Sequence, residues 1–211
     1  MDKKIYNLIK ERIINGHYKP SQLINEKQLI NELAVSRTPI RESLAKLEWE
    51  KLVNIVPRAG AIVSPIELGL IREVYQVRIL IEGYLGKLAA DKITDTQIEK
   101  ISKILDTALK LKKNGGTKDD VINLDIEFRN IMADAAGNKT LKEISDYLFN
   151  ITIRVWYSAI GNNISEEVEI ETKHIKDTIS ALKDRDNDKV EQIRRSMISG
   201  YVEKLKKTFD F

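Results

Sequence analysis

From Pro65 onward, apolar residues recur at the three- and four-residue spacing of amphipathic helices, and no strand pattern interrupts them. Glycine and Asp/Asn breaks divide this region into six candidate helices, at about 67–92, 95–113, 119–135, 139–160, 166–184 and 188–208. We expect Asp119 and Ser165 to cap two of them, and Thr94 with Gln97 to form a capping box on another. The pattern predicts an all-α helical bundle for residues 66–211.

The first 65 residues follow a different plan. Apolar spacing predicts a helix over 2–15 that ends at Gly16, a short second helix capped by Asn25, and a third helix capped by Ser36. Two β-prone runs, 53–57 and 61–64, then flank Arg58-Ala59-Gly60 and predict a β-hairpin. Three helices and a hairpin make a winged helix-turn-helix, so we expect a mainly α protein with domains at 1–65 and 66–211.

The 211 residues contain no cysteine and only two histidines, which excludes disulfides, thiolate metal sites and cysteine nucleophiles. No phosphate-binding glycine loop and no nucleophile motif occurs either, so an enzyme is not expected. No apolar run is long enough to span a membrane, and no signal peptide is recognisable, which predicts a cytoplasmic location without a membrane partner.

Charge is unevenly distributed along the chain. The net charge is +3, but residues 1–65 carry 11 basic against 7 acidic residues, a net charge of +4, while the remainder carries 24 against 25. A basic N-terminal unit joined to a near-neutral one is typical of a nucleic-acid reader with a sensor domain, although basic faces are often only solvated.

The third helix has two distinct faces. Its core-facing side is formed by Ile40, Leu44 and Leu47. Its N-terminal turns present Arg37, Thr38 and Arg41 on another side. Guanidinium groups at a helix N-terminus suit the major-groove edge of guanine and the phosphates. The alternative is a solvated face in which these arginines pair with Glu42 or Glu48.

The N-terminal domain contains three further motifs. They are Gly16-x-Tyr18-x-Pro20-x-x-Leu23, the run from Leu29 to Leu47 that contains Ser36-Arg37-Thr38-Pro39-Ile40-Arg41-Glu42, and Val56-Pro57-Arg58-x-Gly60-x-x-Val63. Together these motifs resemble the signature of the GntR family of transcription factors. Ser21 departs from the usual glycine. The resemblance implies base and phosphate contacts from Arg37, Thr38 and Arg41, a contact from Lys27, and a wing tip at Arg58 and Gly60.

The C-terminal domain contains a series of short motifs. They are Tyr75-x-x-Arg78-x-x-x-Glu82, Ala89-Ala90, Asp125-x-x-Phe128-Arg129, Ala136-Gly137-Asn138 and Glu171-x-x-His174. Together they resemble the helical FCD ligand-binding domain of FadR-like regulators. The two resemblances together imply a homodimer that binds double-stranded DNA at a short palindrome, with a small-molecule effector controlling its affinity.

Many FCD domains hold a divalent ion with an aspartate and three histidines, and by resemblance those positions are Asp125, Arg129, His174 and Met197 here. Arginine stays protonated and cannot ligate, so we expect neither a tightly bound metal nor another cofactor. Arg129 could instead bind an anionic effector such as a carboxylate, with His174 and Asp125 in support. The alternative is an i,i+4 pair between Arg129 and Asp125.

Two further arginines are open to two interpretations each. Arg78 could bind a ligand carboxylate or pair with Glu82, and Arg154 could bind ligand or take a surface or interface role. The sequence therefore predicts a ligand-responsive DNA-binding regulator, a repressor, with a small anionic metabolite as effector. The alternatives are a regulator without an effector, and a metal-dependent sensor of the same family.

Overall fold

The computed structural model describes residues 2–161 and 163–209, and in these ranges the chain forms nine helices and three strands. The N-terminal elements are α1 (Lys3–Ile14), β1 (Leu23–Asn25), α2 (Glu26–Leu33), α3 (Arg37–Trp49), β2 (Val53–Val56) and β3 (Gly60–Val63). The later helices are α4 (Leu68–Lys92), α5 (Asp95–Asn114), α6 (Lys118–Ala136), α7 (Lys139–Ala159), α8 (Ile164–Lys183) and α9 (Asn187–Phe209). The predicted fold class is confirmed.

The N-terminal elements form a winged helix-turn-helix. Ile9, Ile40 and Leu47 are fully buried in its core, and the sheet is antiparallel with the order β1-β3-β2. The hairpin of β2 and β3 was predicted, whereas β1 was not. Three residues of β1 pair with β3, with Leu23 opposite Ile62, and so short a strand carries no readable alternation of its own.

Two polar residues precede the helices of the helix-turn-helix, and only one of them caps its helix. The side chain of Asn25 accepts hydrogen bonds from the backbone amides of Lys27 and Gln28 at 2.9 and 3.2 Å. Ser36 stands at the predicted position before α3, but its side chain makes no capping hydrogen bond among the described residues.

Helices α5, α6 and α8 pack around a core that includes Ala89, Ile101, Phe128 and Leu182. The capping box of Thr94 and Gln97 is confirmed on α5. The cap predictions for α6 and α8 were wrong by two residues each, since Thr117 and Asn163 are the capping residues. None of the described helices is long and apolar enough to cross a membrane.

Two compact units make up the chain, and the first is built from two separate stretches. It contains the residues up to Ile71 together with Phe149–Ser158 of α7, and the second unit contains Arg72–Leu148 and the residues from Ala159 onward. Within the first unit, Lys10 Nζ donates to Asn150 Oδ1 at 2.8 Å, and Arg154 Nη1 donates to the carbonyl of Ser64 at 2.6 Å. Arg154 is therefore bonded to backbone carbonyls within the first unit.

Candidate DNA-binding surface and buried charge cluster

Arg37 and Arg41, here called the arginine pair, lie in the first two turns of α3. Their side chains are 57% and 56% exposed, while the carboxylate of Glu26 on α2 lies next to both and is only 10% exposed. Glu26 Oε1 is 3.2 Å from Nε of Arg37 and accepts a hydrogen bond of 2.9 Å from Nε of Arg41. The arginine pair is thus tied to α2 through Nε.

The acidic partner in this contact was not predicted. Sequence reasoning considered Glu42 and Glu48 because they share a helix with the arginine pair, whereas Glu26 belongs to the preceding helix. Glu48 Oε1 instead accepts from the backbone amide of Ile55 at 2.7 Å. Glu26 opens α2 directly after its cap residue, and an acidic residue in a first helical turn was the only local signal that marked it.

The other predicted DNA contacts lie around the same end of the domain. Thr38 is exposed beside Arg37, and Lys27 is exposed in the first turn of α2. Arg58 is exposed in the hairpin turn, with a left-handed backbone at φ 65°. Gly60 ends that turn at φ 138°, and a Cβ there would lie 2.1 Å from the carbonyl oxygen of Ile24. Glycine is therefore required for the hairpin to reach the start of α2.

The second unit encloses six ionisable side chains, here called the buried charge cluster. Each is at most 4% exposed, and they come from four helices. The members are Arg78 and Glu82 on α4, Asp125 and Arg129 on α6, Glu171 on α8, and Arg194 on α9. The three acids and three arginines balance each other in formal charge, as burial requires.

Glu82 is the central acceptor of the cluster. Arg194 Nη2 donates to its Oε2 at 2.7 Å, and Ser145 Oγ donates to its Oε1 at 2.6 Å. Arg129 Nη1 donates in turn to Ser145 Oγ at 2.8 Å. Burial alone would raise the pKa of Glu82, but the charges of Arg194, Arg78 and Arg129 lower it to about 2. Glu82 is therefore a carboxylate at every physiological pH.

The other two acids behave differently. Burial raises the pKa of Glu171 to about 8, with the nearby carboxylate of Asp125 adding to the effect. Burial also raises the pKa of Asp125, against the charge of Arg194. Glu171 Oε1 accepts a hydrogen bond of 2.6 Å from the hydroxyl of Tyr201. The cluster thus contains one fixed carboxylate and two acids that tend to hold a proton.

The structure brings the predicted effector residues into one region but changes their partners. Arg129 bonds to Ser145 and Asp146 on α7, two partners that the sequence did not indicate, and the orienting role of Asp125 stays a prediction. Arg78 lies over the ring of Tyr75, 5.3 Å from its centroid, and its charge acts on Glu82. Burial lowers the pKa of His174 to about 4, and Arg194 lowers it further.

Arg194 and Tyr201 were missed by sequence reasoning. Both lie on the buried face of α9, whose buried positions are Val190, Arg194, Met197, Ile198, Tyr201 and Leu205. An arginine within this otherwise apolar stripe was the available signal, because such a position normally carries a core residue.

The residues at the family's metal positions do not fit a divalent ion. Arg194 is 1% exposed and its Nη1 lies 3.1 Å from Sδ of Met197, so a fixed positive charge occupies that corner. Arg129 stands where a ligand would be needed, and His174 is the one imidazole there. Within the described residues no group of three or more His, Cys, Asp or Glu could hold a metal.

Some buried polar atoms of this region remain unsatisfied. Among the described residues, Oε2 of Glu171, Nδ1 of His174 and Nε of Arg194 have no hydrogen-bond partner. Buried polar atoms are normally paired, and an exception commonly marks a place for a ligand or an ordered water. These three atoms offer one carboxyl oxygen, one imidazole nitrogen and one guanidinium donor.

A winged helix-turn-helix with exposed arginines on α3, followed by a helical bundle with a buried polar site, defines a DNA-binding transcriptional regulator. Comparison with known families agrees. Residues 2–63 match the family described as bacterial regulatory proteins, gntR family, and residues 73–200 match the FCD domain. The chain belongs to the GntR family, with an FCD domain at its C-terminal side.

Named relatives are also regulators. An uncharacterised HTH-type transcriptional regulator YdhC of Bacillus subtilis is 30% identical over 69% of this chain and 65% of its own length. The HTH-type transcriptional repressor RspR of Escherichia coli is 27% identical over 91% of this chain and 83% of its own. This chain therefore covers a little under two thirds of the length of the YdhC protein.

Solved structures share the fold. E. coli McbR/YncC superimposes with a TM-score of 0.81 at 20% identity, over 98% of this chain and 97% of the other. A GntR-type regulator from Rhodococcus sp. RHA1 gives a TM-score of 0.73 at 18% identity, with the same coverage. At these identities the similarity establishes the fold alone.

Proposed function

We propose that this regulator is a repressor that binds a short palindromic operator as a homodimer and responds to a small anionic metabolite. The observation that carries the DNA-binding part is the arginine pair, exposed at the N-terminus of α3 and held by Glu26. Arg37, Thr38 and Arg41 contact bases and phosphates, while Lys27, Arg58 and Gly60 support the contact from α2 and the hairpin. Repression is proposed by analogy with the relative RspR, which is a transcriptional repressor.

An apolar stripe on α4 supports the homodimer. Val77, Leu80 and Tyr84 lie on one helix face at i, i+3 and i+7, and they are 46%, 54% and 49% exposed. Large apolar side chains grouped on one face are typical of a protein interface. A two-fold dimer also doubles the sequence read by one recognition helix, which is why the operator is expected to be palindromic.

The buried charge cluster supports the effector. The charges of Arg78, Arg129 and Arg194 act on Asp125, and the charge of Arg194 acts on His174. Glu171 and Arg194 carry unsatisfied atoms in the same cluster. A small carboxylate would accept hydrogen bonds from Arg194 Nε and from the protonated Oε2 of Glu171. Because Glu171 and Asp125 tend to hold a proton, they do not neutralise all three arginines, and the surplus positive charge would favour an added anion.

One observation favours a second candidate, a regulator without an effector. Arg194 and Arg129 already bond to Glu82 and Asp146, so the cluster is a satisfied ion-pair network apart from a few atoms. In that case the cluster only stabilises the bundle.

DNA recognition is tested by selecting duplexes from a random pool with the full chain and measuring affinities for the selected operator. Arg37→Ala and Arg41→Ala should each weaken operator binding by about 1–3 kcal/mol. Lys27→Ala should weaken binding to all DNA sequences alike and reduce the dependence of the affinity on salt concentration. Arg12→Ala removes an arginine paired with Glu32 elsewhere in the domain and serves as control. Operator affinity unchanged in an Arg37/Arg41 double alanine, with the fold intact, would contradict the assignment.

The effector is tested by thermal shift with a panel of small carboxylic and hydroxycarboxylic acids. A ligand that binds only the folded chain raises the melting temperature. Arg129→Met should abolish this rise. Arg195→Met, a change on the more exposed side of α9, is the control and should leave the rise intact. A panel without any stabiliser would favour the second candidate.

A further inference from the structure

Glu26 connects three parts of the winged helix-turn-helix. Its side chain reaches Nε of Arg37 and Nε of Arg41 on α3, and its backbone amide donates to the carbonyl of Ala59 in the hairpin turn at 3.4 Å. Gly60 is packed against the same backbone, since a Cβ there would lie 3.0 Å from the amide nitrogen of Glu26. The residue is 8% exposed. Its backbone is fixed by the hairpin turn, and its carboxylate is held by the arginine pair.

The arrangement restricts both arginines before any DNA is bound. A free arginine side chain samples many rotamers and must be ordered at the moment of binding, at a cost in affinity. The buried carboxylate needs cationic partners to be tolerated, and one oxygen, Oε1, serves both Nε atoms. Contact through Nε leaves the two Nη atoms of each guanidinium for another partner, and paired parallel donors are what the guanine edge requires.

Glu26 also changes the balance between specific and non-specific binding. One negative charge beside two positive ones reduces the attraction to any phosphate backbone, which depends on net charge. Base reading depends instead on the geometry of the donors. A carboxylate at this position is therefore expected to lower the affinity for unrelated DNA and to raise the affinity for the correct sequence. Weakening the binding of wrong partners is one of the two ways in which a protein gains specificity.

From these contacts we infer that Glu26 is a positioning residue for DNA recognition, which orients the arginine pair for base reading and suppresses non-specific binding. The inference rests on the proposed role of the arginine pair as DNA contacts. Glu26 itself touches no base in this scheme; it acts through Arg37 and Arg41.

The test compares Glu26→Gln with the wild-type full chain on two duplexes, the operator selected from a random pool and a scrambled duplex of equal length. Discrimination, the ratio of the two affinities, should fall about tenfold or more, while affinity for the scrambled duplex should stay equal or rise because a negative charge is lost. Glu32→Gln is the matched control, since Glu32 is an exposed glutamate of α2 paired with Arg12, and it should leave discrimination unchanged.

Dependence on the arginine pair is measured in an Arg37/Arg41 double-alanine background. There Glu26→Gln should change discrimination by less than about twofold, because the residues it positions are gone. A purely structural role would instead lower the melting temperature and weaken both duplexes together, and that result would overturn the inference. If Glu26→Gln does not fold, Glu26→Asp decides, since it keeps the charge but withdraws the carboxylate by one methylene.

The outcomes separate the inference from the proposed function. The inference alone is overturned if Glu26→Gln or Glu26→Asp discriminates as well as wild type while the arginine variants lose operator binding. In that case the proposed function stands. Wild-type operator binding in the arginine variants overturns both. Lost discrimination with retained scrambled-duplex binding supports the positioning role.

Discussion

Arg194 on α9 donates to the carboxylate of Glu82 on α4 at 2.7 Å, and their side chains are 1% and 0% exposed. Removing one member of a buried ion pair leaves the other as an uncompensated charge in the interior. Substitution of either residue is therefore expected to lower the free energy of unfolding of the chain.

Arg194→Met should destabilise the chain by about 3–5 kcal/mol, because it strands the carboxylate of Glu82. The double variant Glu82→Gln/Arg194→Met should cost less than the sum of the two single changes. Urea denaturation followed by circular dichroism gives these values. Arg195→Met, which removes the exposed neighbour paired with Glu191, is the control and should stay within about 0.5 kcal/mol. Equal effects at 194 and 195 would contradict the prediction.

The stability of the chain should depend on pH through Glu171, whose carboxyl group faces Asp125, Arg194 and Tyr201. Its pKa is raised from 4.5 to about 8 in the folded chain, so between these values the folded state binds more protons than the unfolded state. Stability from this group is complete below pH 4.5 and is lost as pH rises toward 8.

Glu171→Gln removes that dependence. The difference in unfolding free energy between wild type and variant should therefore fall as pH rises from 5 to 8, by up to about 1.4 kcal/mol per pH unit. The opposite dependence from His174, whose pKa is lowered to about 4, is present in both proteins and cancels. Denaturation curves at several pH values provide the measurement, and parallel profiles would show that Glu171 is ionised throughout.

Gly60→Ala should destabilise the winged helix-turn-helix by more than about 1 kcal/mol, because alanine is strained at φ 138° and its Cβ would collide with the carbonyl of Ile24. Operator affinity should fall with it. Gly200→Ala is the matched change in α9, where nothing lies within 4 Å of an added Cβ. It should stabilise by about 0.5–1 kcal/mol through helix propensity. Thermal melts of the two variants check both signs.

Asn25→Ala and Ser36→Ala compare two residues at equivalent positions. Asn25 bonds two amides of α2, and its loss should cost about 1 kcal/mol. Ser36 makes no such bond among the described residues, so its replacement should cost far less. Equal losses in chemical denaturation would mean that the hydroxyl of Ser36 caps α3 in solution.

Local periodicity was enough to predict the helices and the hairpin, because side-chain spacing along one element is fixed by that element alone. The start of α6 shows where this stops. Thr117, Asp119 and Asp120 are all good capping residues, and the choice of Thr117 with a reciprocal bond from Asp120 depends on where the preceding loop ends. When several neighbouring residues are equally good caps, the local sequence does not show which of them caps the helix.

The partners of the charged site residues were harder to predict. Sequence reasoning paired the arginines that it considered with acids on the same helix. Arg41 instead bonds to Glu26, fifteen residues earlier, and Arg194, which it did not consider, bonds to Glu82, 112 residues earlier. Such pairs are set by the packing of distant helices, and no spacing rule records them. Residue types and faces were predictable, whereas the contacts that orient them were not.

The first unit is built from two stretches of sequence that are translated at different times. The core residues between Ile5 and Val63 have all been translated once Pro65 is reached, but Asn150, the partner of Lys10, is translated 85 residues after Pro65. At roughly 5–20 residues per second the delay is about 4–17 s. During synthesis the nascent DNA-binding domain therefore spends seconds without its contacts from α7, and it acquires them only when most of the bundle already exists.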